Sequence, residues 1–304
     1  NSVLGPLDSA NLGFTLMHEH LVSSSVGIPQ NYVRLLDEGH MKRILKELNQ
    51  AKQAGIDTIV DATTVDLGRD VTIMAEASRR SGVHIIAVTG WWLEQPRLMT
   101  GYPADQFADL FIREIKDGIS DTGLKAGILK AASDIQGVTP WDENILRGVA
   151  RAHLQTNVPI MLHSYSPGQV GRQQLAILKE EGVDLRRVKV DHSNDTTDVE
   201  YLIWLLEQGC YLGMDRYPGR NTSPLARTKT MKALIDAGYV DRLLPSHDWP
   251  LVTFRSIAER EQSNPYGYLY MKKVVFEQLK EMGTSETTLN RLCVVGPRNF
   301  FEGV

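Results

Sequence analysis

Eight short runs rich in β-branched and apolar residues recur along the chain, separated by longer stretches of helical period. They are "FTLMHEH", "IDTIVDA", "VHIIAVTG", "KAGILKAAS", "VPIMLHS", "VKVDHS", "CYLGMDR" and "LLPSHDW". Between them, Met41, Ile44, Leu45 and Leu48 fall on one helical face, as do Phe107, Leu110, Phe111 and Ile115, and Leu202, Leu205 and Leu206. Gly82, Gly182, Gly209 and Gly238 each precede a run, where a helix ends and a left-handed residue is useful. Strands alternating with helices pair in parallel and cross over right-handedly. Eight such units predict the α/β class and a closed (β/α)8 TIM barrel. A doubly wound open sheet is the alternative, weakened by the lack of a Gly-rich phosphate fingerprint after any early strand. At 304 residues the chain is within the range that α/β barrels occupy as one domain, so a single domain over residues 1–304 is expected.

In such a barrel, chemistry gathers at the carboxyl ends of the strands. The first run ends in His18 and His20, the fourth carries Lys130, and the fifth and sixth end in His163 and His192. The seventh ends in Asp215 and the eighth in His247 and Asp248. Alternation along a strand sends His18 and His20 to the same side and Glu19 to the other. Each residue alone has a plain structural reading: a hydrogen-bonded histidine, a salt-bridged lysine, a helix-capping aspartate. Their joint placement on one rim is what points to a site.

Imidazole and carboxylate are ordinary ligands of zinc and similar divalent ions. Four histidines and Asp248 have enough donors for two ions but too little negative charge. Two divalent cations bring four positive charges; Asp248 and a bridging hydroxide return only two. A Lys130 amine carboxylated by CO₂ would supply the missing anion, and burial beside cations favours the neutral amine that reacts. The chemistry of that set is metal-assisted hydrolysis. A Schiff-base lyase or aldolase built on Lys130, and a non-catalytic barrel binding a small ligand, are the competing readings.

In order and spacing, "GFTLMHEH", "KAGILKAAS", "DHSNDTTDVEYL", "GMDRYP" and "SHDW" resemble the phosphotriesterase family of the amidohydrolase superfamily, from "VLGPLDSANLG" to "VVGPRNFF". That family includes phosphotriesterases and phosphotriesterase-like lactonases. The resemblance implies that His18, His20 and Asp248 hold a buried metal, that His163 and His192 hold a more exposed one, and that carboxylated Lys130 bridges them. It gives Asp248 the proton of the bridging hydroxide and Asp195 its onward transfer to solvent. Zinc is the expected ion, with cobalt, manganese and iron also accepted in the family. Substrates would be lactones, carboxylic esters or organophosphate triesters, bound beside Trp92, Asp215, Arg216 and Trp249. Arg216 is typical of the lactonase branch; Trp92 and Trp249 look like the phosphotriesterase branch. The segment "RYPGRNTSPLARTK" is short for either, which implies an open pocket. Trp91 and Phe254 are further candidates for an apolar wall, Trp91 equally for packing or a subunit interface. Relatives are commonly homodimers, so a homodimer is expected.

A net charge of -4 and scattered basic residues argue against nucleic acid or an anionic membrane as a partner. Two cysteines without a CxxC make no disulfide framework and suggest a reducing, cytoplasmic setting. The first residues lack the charged and apolar regions of a signal peptide; one removed before residue 1 would be equally compatible.

Overall fold

The computed structural model describes residues 1–32, 39–219, 221–253 and 262–304. Phe254 lies outside them. Nine strands form one sheet: β1 (Thr15–Val22), β2 (Thr58–Asp61), β3 (His84–Gly90), β4 (Ile128–Ser133), β5 (Ile160–Ser164), β6 (Val188–Val190), β7 (Tyr211–Met214), β8 (Leu243–Pro245) and β9 (Pro250–Val252). Their order is β8-β7-β6-β5-β4-β3-β2-β1-β9, and every neighbouring pair is parallel. Helices such as His40–Gln53, Val71–Ser81, Ala104–Lys116 and Pro140–Thr156 fill the crossovers. The result is a TIM-like α/β barrel, as the alternation predicts.

Side chains of adjacent strand residues enter two separate apolar layers. Ile59, Ile85, Leu129, Leu162 and Leu212 pack outward against the helices. Their neighbours Val60, Ile86, Ile128, Met161 and Tyr211 pack together inside the sheet with Met17, Leu244 and Phe300. Both faces are buried, which is why the strands read as nearly continuous apolar runs. Leu110 departs from the expected stripe: it stands on the outer side of its helix and is 42% exposed. No helix among the described residues is long and apolar enough to cross a membrane.

Two irregularities aim the strand ends. In β1 the pairing with β2 shifts between Leu16 and Glu19. Leu16 packs outward and Met17 inward, and the bulge then turns His18 inward as well. His20 follows on the same side, and Glu19 faces the other way. The eighth run, expected to be one strand, is a strand only over Leu243–Pro245, and a further short strand follows it at Pro250–Val252. β8 joins β7, β9 joins β1, and Ser246–Trp249 lie between them. Glu19 fixes that gap: its carboxylate accepts from Ser246 Oγ (2.8 Å), the His247 and Trp249 amides (3.1 and 3.2 Å) and the His247 ring. His18 N–H donates to Ser246 Oγ and Asp248 N–H to His18 O, each at 3.0 Å, which closes the ring between β1 and the eighth strand.

Close strand approach also limits the rim. Gly90 pairs with Lys130, and a Cβ at Gly90 would meet the Lys130 carbonyl oxygen at 1.9 Å.

Candidate metal centre

His18, His20, Lys130, His163 and His192 are all buried, on or just beyond β1, β4, β5 and β6, with Asp248 beside them. Asp248 and His192 both adopt left-handed backbone conformations, at φ 52° and 59°, which turns each side chain out of the strand direction and into the cluster.

Hydrogen-bond partners decide which nitrogen of each ring carries the proton. A neutral imidazole donates from one nitrogen and accepts at the other. His18 Nδ1 lies 3.1 Å from Asp215 Oδ2 and 3.2 Å from Asp191 Oδ2, so it is the donor. His192 Nδ1 faces Asp215 Oδ1 at 3.0 Å and is likewise a donor. Thr63 Oγ1 donates to Val22 O and therefore accepts from His20 Nδ1, at 2.7 Å. His163 Nδ1 accepts the Trp92 indole N–H at 3.3 Å, which leaves the His163 proton on Nε2, 3.3 Å from Asp134 Oδ2.

The remaining lone pairs converge. His18 Nε2 and His20 Nε2 point at Asp248 Oδ1, at 3.4 and 3.1 Å. His192 Nε2 points at His163 Nδ1, at 2.8 Å. A lone pair set against another lone pair or a carboxylate oxygen is repulsive unless a proton or a cation lies between them. Burial, with Arg216 nearby, keeps His163 and His192 below the usual imidazole range, so protonation there is disfavoured. For His18, burial and Lys130 press downward, but Asp191, Asp215 and Asp248 outweigh them and raise it. The donor set therefore fits divalent cations. Two groups have ligand atoms within 4.8 Å of one another: His18, His20 and Asp248, and His18, His192 and Asp215. In the second, Asp215 engages Nδ1 atoms that already donate to it, so the first group has the free donors.

Lys130 is 1% exposed and its ammonium donates to Ala62 O at 2.8 Å. Burial lowers its pKa, against the attraction of Asp191 and Asp248. Asp248 is held well below the usual carboxylate range: burial opposes this, but His18, His20, His192 and Arg216 prevail. The same opposition, resolved by His192 and His18, holds Asp215 low. A Cβ at Gly213 would sit 2.3 Å from Asp215 Oδ2 and 2.8 Å from Asp191 Oδ1, so only glycine leaves room for these carboxylates under His18.

On the pocket side, Arg216 reaches two acids. Its Nε donates to Asp248 Oδ2 at 3.1 Å and its Nη1 to Asp195 Oδ2 at 2.6 Å. Asp195 Oδ1 is taken by the fully buried Arg227 at 2.6 Å. Trp92 stands edge-on to His163. Trp249 is half-buried beside Asp248, its amide on Glu19. Trp91 is buried and packs edge-on against Phe107 and Trp141. His247 turns away, donating to Glu19 and accepting from the Met271 amide.

Sequence reasoning missed Thr63, Asp134, Lys189, Asp191 and Arg227. Asp191 directly precedes His192 and Asp134 follows β4, so a search for acids beside each strand end would have found both. Lys189, which pairs with Asp191 at 2.7 Å and donates to Met17 O, and Arg227, a helix residue, carry no such signal.

A barrel whose strand ends direct imidazole and carboxylate lone pairs to a common centre defines the class: an α/β barrel with a His/Asp cluster that could hold metal. The model of the phosphotriesterase family matches residues 1–301. A phosphotriesterase homology protein of Mycobacterium tuberculosis is 36% identical over 325 residues, spanning 99% of this chain and 97% of its own length. An aryldialkylphosphatase of Saccharolobus solfataricus is 33% identical over 303 residues, spanning 97% and 96%. An N-acetyltaurine hydrolase of Bos taurus is 24% identical over 345 residues, spanning 98% and 96%. The chain belongs to the phosphotriesterase family.

Proposed function

We propose that this protein is a hydrolase of lactones, carboxylic esters or organophosphate triesters that works with two divalent cations, zinc foremost. His18, His20 and Asp248 would hold one cation and His163 and His192 the other, and a carboxylated Lys130 would supply the further anionic ligand. When bound, the cations supply an activated hydroxide and polarise the oxygen of the scissile group. The observation that carries this reading is the convergence of four imidazole lone pairs in a buried site.

The chain's own residues orient and exclude. Asp215 and Thr63 fix the histidine tautomers. Asp248 is the proton acceptor, with its Oδ2 steered by Arg216. Asp195 receives that proton only when Arg216 swings aside, because a guanidinium keeps its own protons. Trp92, Trp249 and Arg216 border the substrate, and Asp215 acts from beneath it.

The aryldialkylphosphatase relative supports a triester arm and the N-acetyltaurine hydrolase relative an amide arm. The test is a hydrolysis panel at quantified metal content: aryl esters, γ- and δ-lactones, acyl-homoserine lactones, paraoxon-like triesters and N-acyl amides. Fewer than two ions per chain with activity intact would overturn the proposal. Burial, which lowers the Lys130 pKa, also suits a Schiff base, which borohydride trapping with a carbonyl substrate would reveal.

A further inference from the structure

The outer nitrogens of His18, His20 and His192 rest on Asp215 and Thr63, deep in the barrel. That of His163 rests on a residue at the pocket mouth. Asp134 is the first residue beyond β4, and the β4–β5 register sets Ala132 beside His163. Its carbonyl accepts from the Gly137 amide at 2.8 Å, closing a tight turn, and its Oδ1 accepts from the Ile135 amide at 2.8 Å. These two bonds pin the carboxylate, leaving Oδ2 against His163 Nε2. Gln174 holds the His163 carbonyl at 2.8 Å but not the ring. Asp134 is the carboxylate partner of this imidazole among the described residues.

We infer that Asp134 is a positioning residue that fixes the His163 tautomer with Nδ1 unprotonated toward His192, and thereby sets how firmly this pair retains a cation. The affinity clause rests on the metal reading above; the tautomer clause does not. Without the acceptor at Nε2, the ring gains by moving its proton to Nδ1 and donating to His192 at 2.8 Å, a shorter contact than the 3.3 Å bond from the Trp92 indole that the move gives up. An unprotonated Nδ1 is then the minority form, and a cation must displace the proton to bind.

The experiment compares wild type, Asp134→Ala and Asp134→Asn, with side-chain ¹⁵N NMR of histidine-labelled, metal-free protein and Zn²⁺ binding by competition with a chelator. Asparagine has one acceptor oxygen: with it on the Ile135 amide, its NH₂ takes the place of Oδ2 and presents a donor to His163 Nε2. In wild type the His163 resonances should report a proton on Nε2, and in Asp134→Asn, whose NH₂ faces that nitrogen, a proton on Nδ1. In Asp134→Ala they should move toward the Nδ1-protonated form, and the second Zn²⁺ should bind about 10–100-fold more weakly, as when partners of metal-ligating histidines are removed. The first Zn²⁺ should be unaffected. An unchanged tautomer in Asp134→Ala overturns the inference, as does a shifted tautomer with unchanged second-site affinity. An Asp134→Asn protein that keeps the His163 proton on Nε2 also overturns it. A wild type that binds no second Zn²⁺ overturns the affinity clause together with the metal reading, while the tautomer clause is judged by NMR alone.

Discussion

Trp92 and a cation compete for one pair of electrons on His163 Nδ1. Cation binding at the outer pair must therefore release the indole N–H, and Zn²⁺ titration should change tryptophan fluorescence at the second equivalent. Trp92→Phe removes the competing donor and should abolish that change. One hydrogen bond is worth about 0.5–1.5 kcal/mol net, so the second Zn²⁺ should bind up to roughly tenfold more tightly in this variant. Unaltered affinity and fluorescence response would show that the indole does not contest the site. Lys130→Ala removes the residue proposed as the shared anion and should cost most of the hydrolytic activity and weaken both sites. Metal analysis after gel filtration checks this, and a small carboxylic acid in the buffer should restore part of the activity. The six proposed ligand positions stand out in the sequence because strand ends in a parallel barrel share one rim. The residues that set their tautomers do not, since Thr63 meets His20, and Asp215 meets His18, only through the closure of the sheet.

Elements were legible where both faces of a strand are apolar, and illegible where a strand is broken by what it must hold. "LLPSHDW" reads as one strand, yet its second half leaves the ladder to reach Glu19. Glu19→Ala would strand the Ser246 hydroxyl, two amides and the His247 ring without their acceptor. Each buried orphan costs about 1–3 kcal/mol, and bulk solvent can repair some of them, so a loss of about 3 kcal/mol or more is expected in urea unfolding. Glu19→Gln should lose less, because its carbonyl still accepts. A fall of under about 0.5 kcal/mol in Glu19→Ala would show the gap is held by other contacts. The helix Pro140–Thr156 carries a different liability. His153 donates to Val158 O at 2.8 Å from its last turn, and burial lowers its pKa. The folded state keeps this ring neutral while the unfolded chain protonates it in the ordinary imidazole range. Its contribution to stability is thus present above that range and lost as pH falls through it. His153→Gln should flatten the pH dependence of the melting temperature between neutral pH and about pH 5, and parallel curves for the two proteins would exclude this role.

For the molecule as a whole, cations that bind only the folded barrel add stability by mass action. At a hundredfold excess over its dissociation constant, one ion contributes about 2.7 kcal/mol, or roughly 4 °C in a chain of this size. Chelation should lower the melting temperature by about that much per site, and Zn²⁺ should restore it; a temperature indifferent to both would mean that no ion is held. The seam between β1 and the eighth strand gives this coupling a direction. The ring is shut by the Ser246 hydroxyl and the Asp248 amide, both bonded to His18. At most crossings of such a barrel, a lineage can lengthen or trim a loop and leave the staves intact. Here the last stave and the working residues are the same stretch of chain, so an insertion between Pro245 and Pro250 would open the cask itself. New specificities in a scaffold like this have freedom at the mouth of every other strand, and at this one only by exchanging side chains in place.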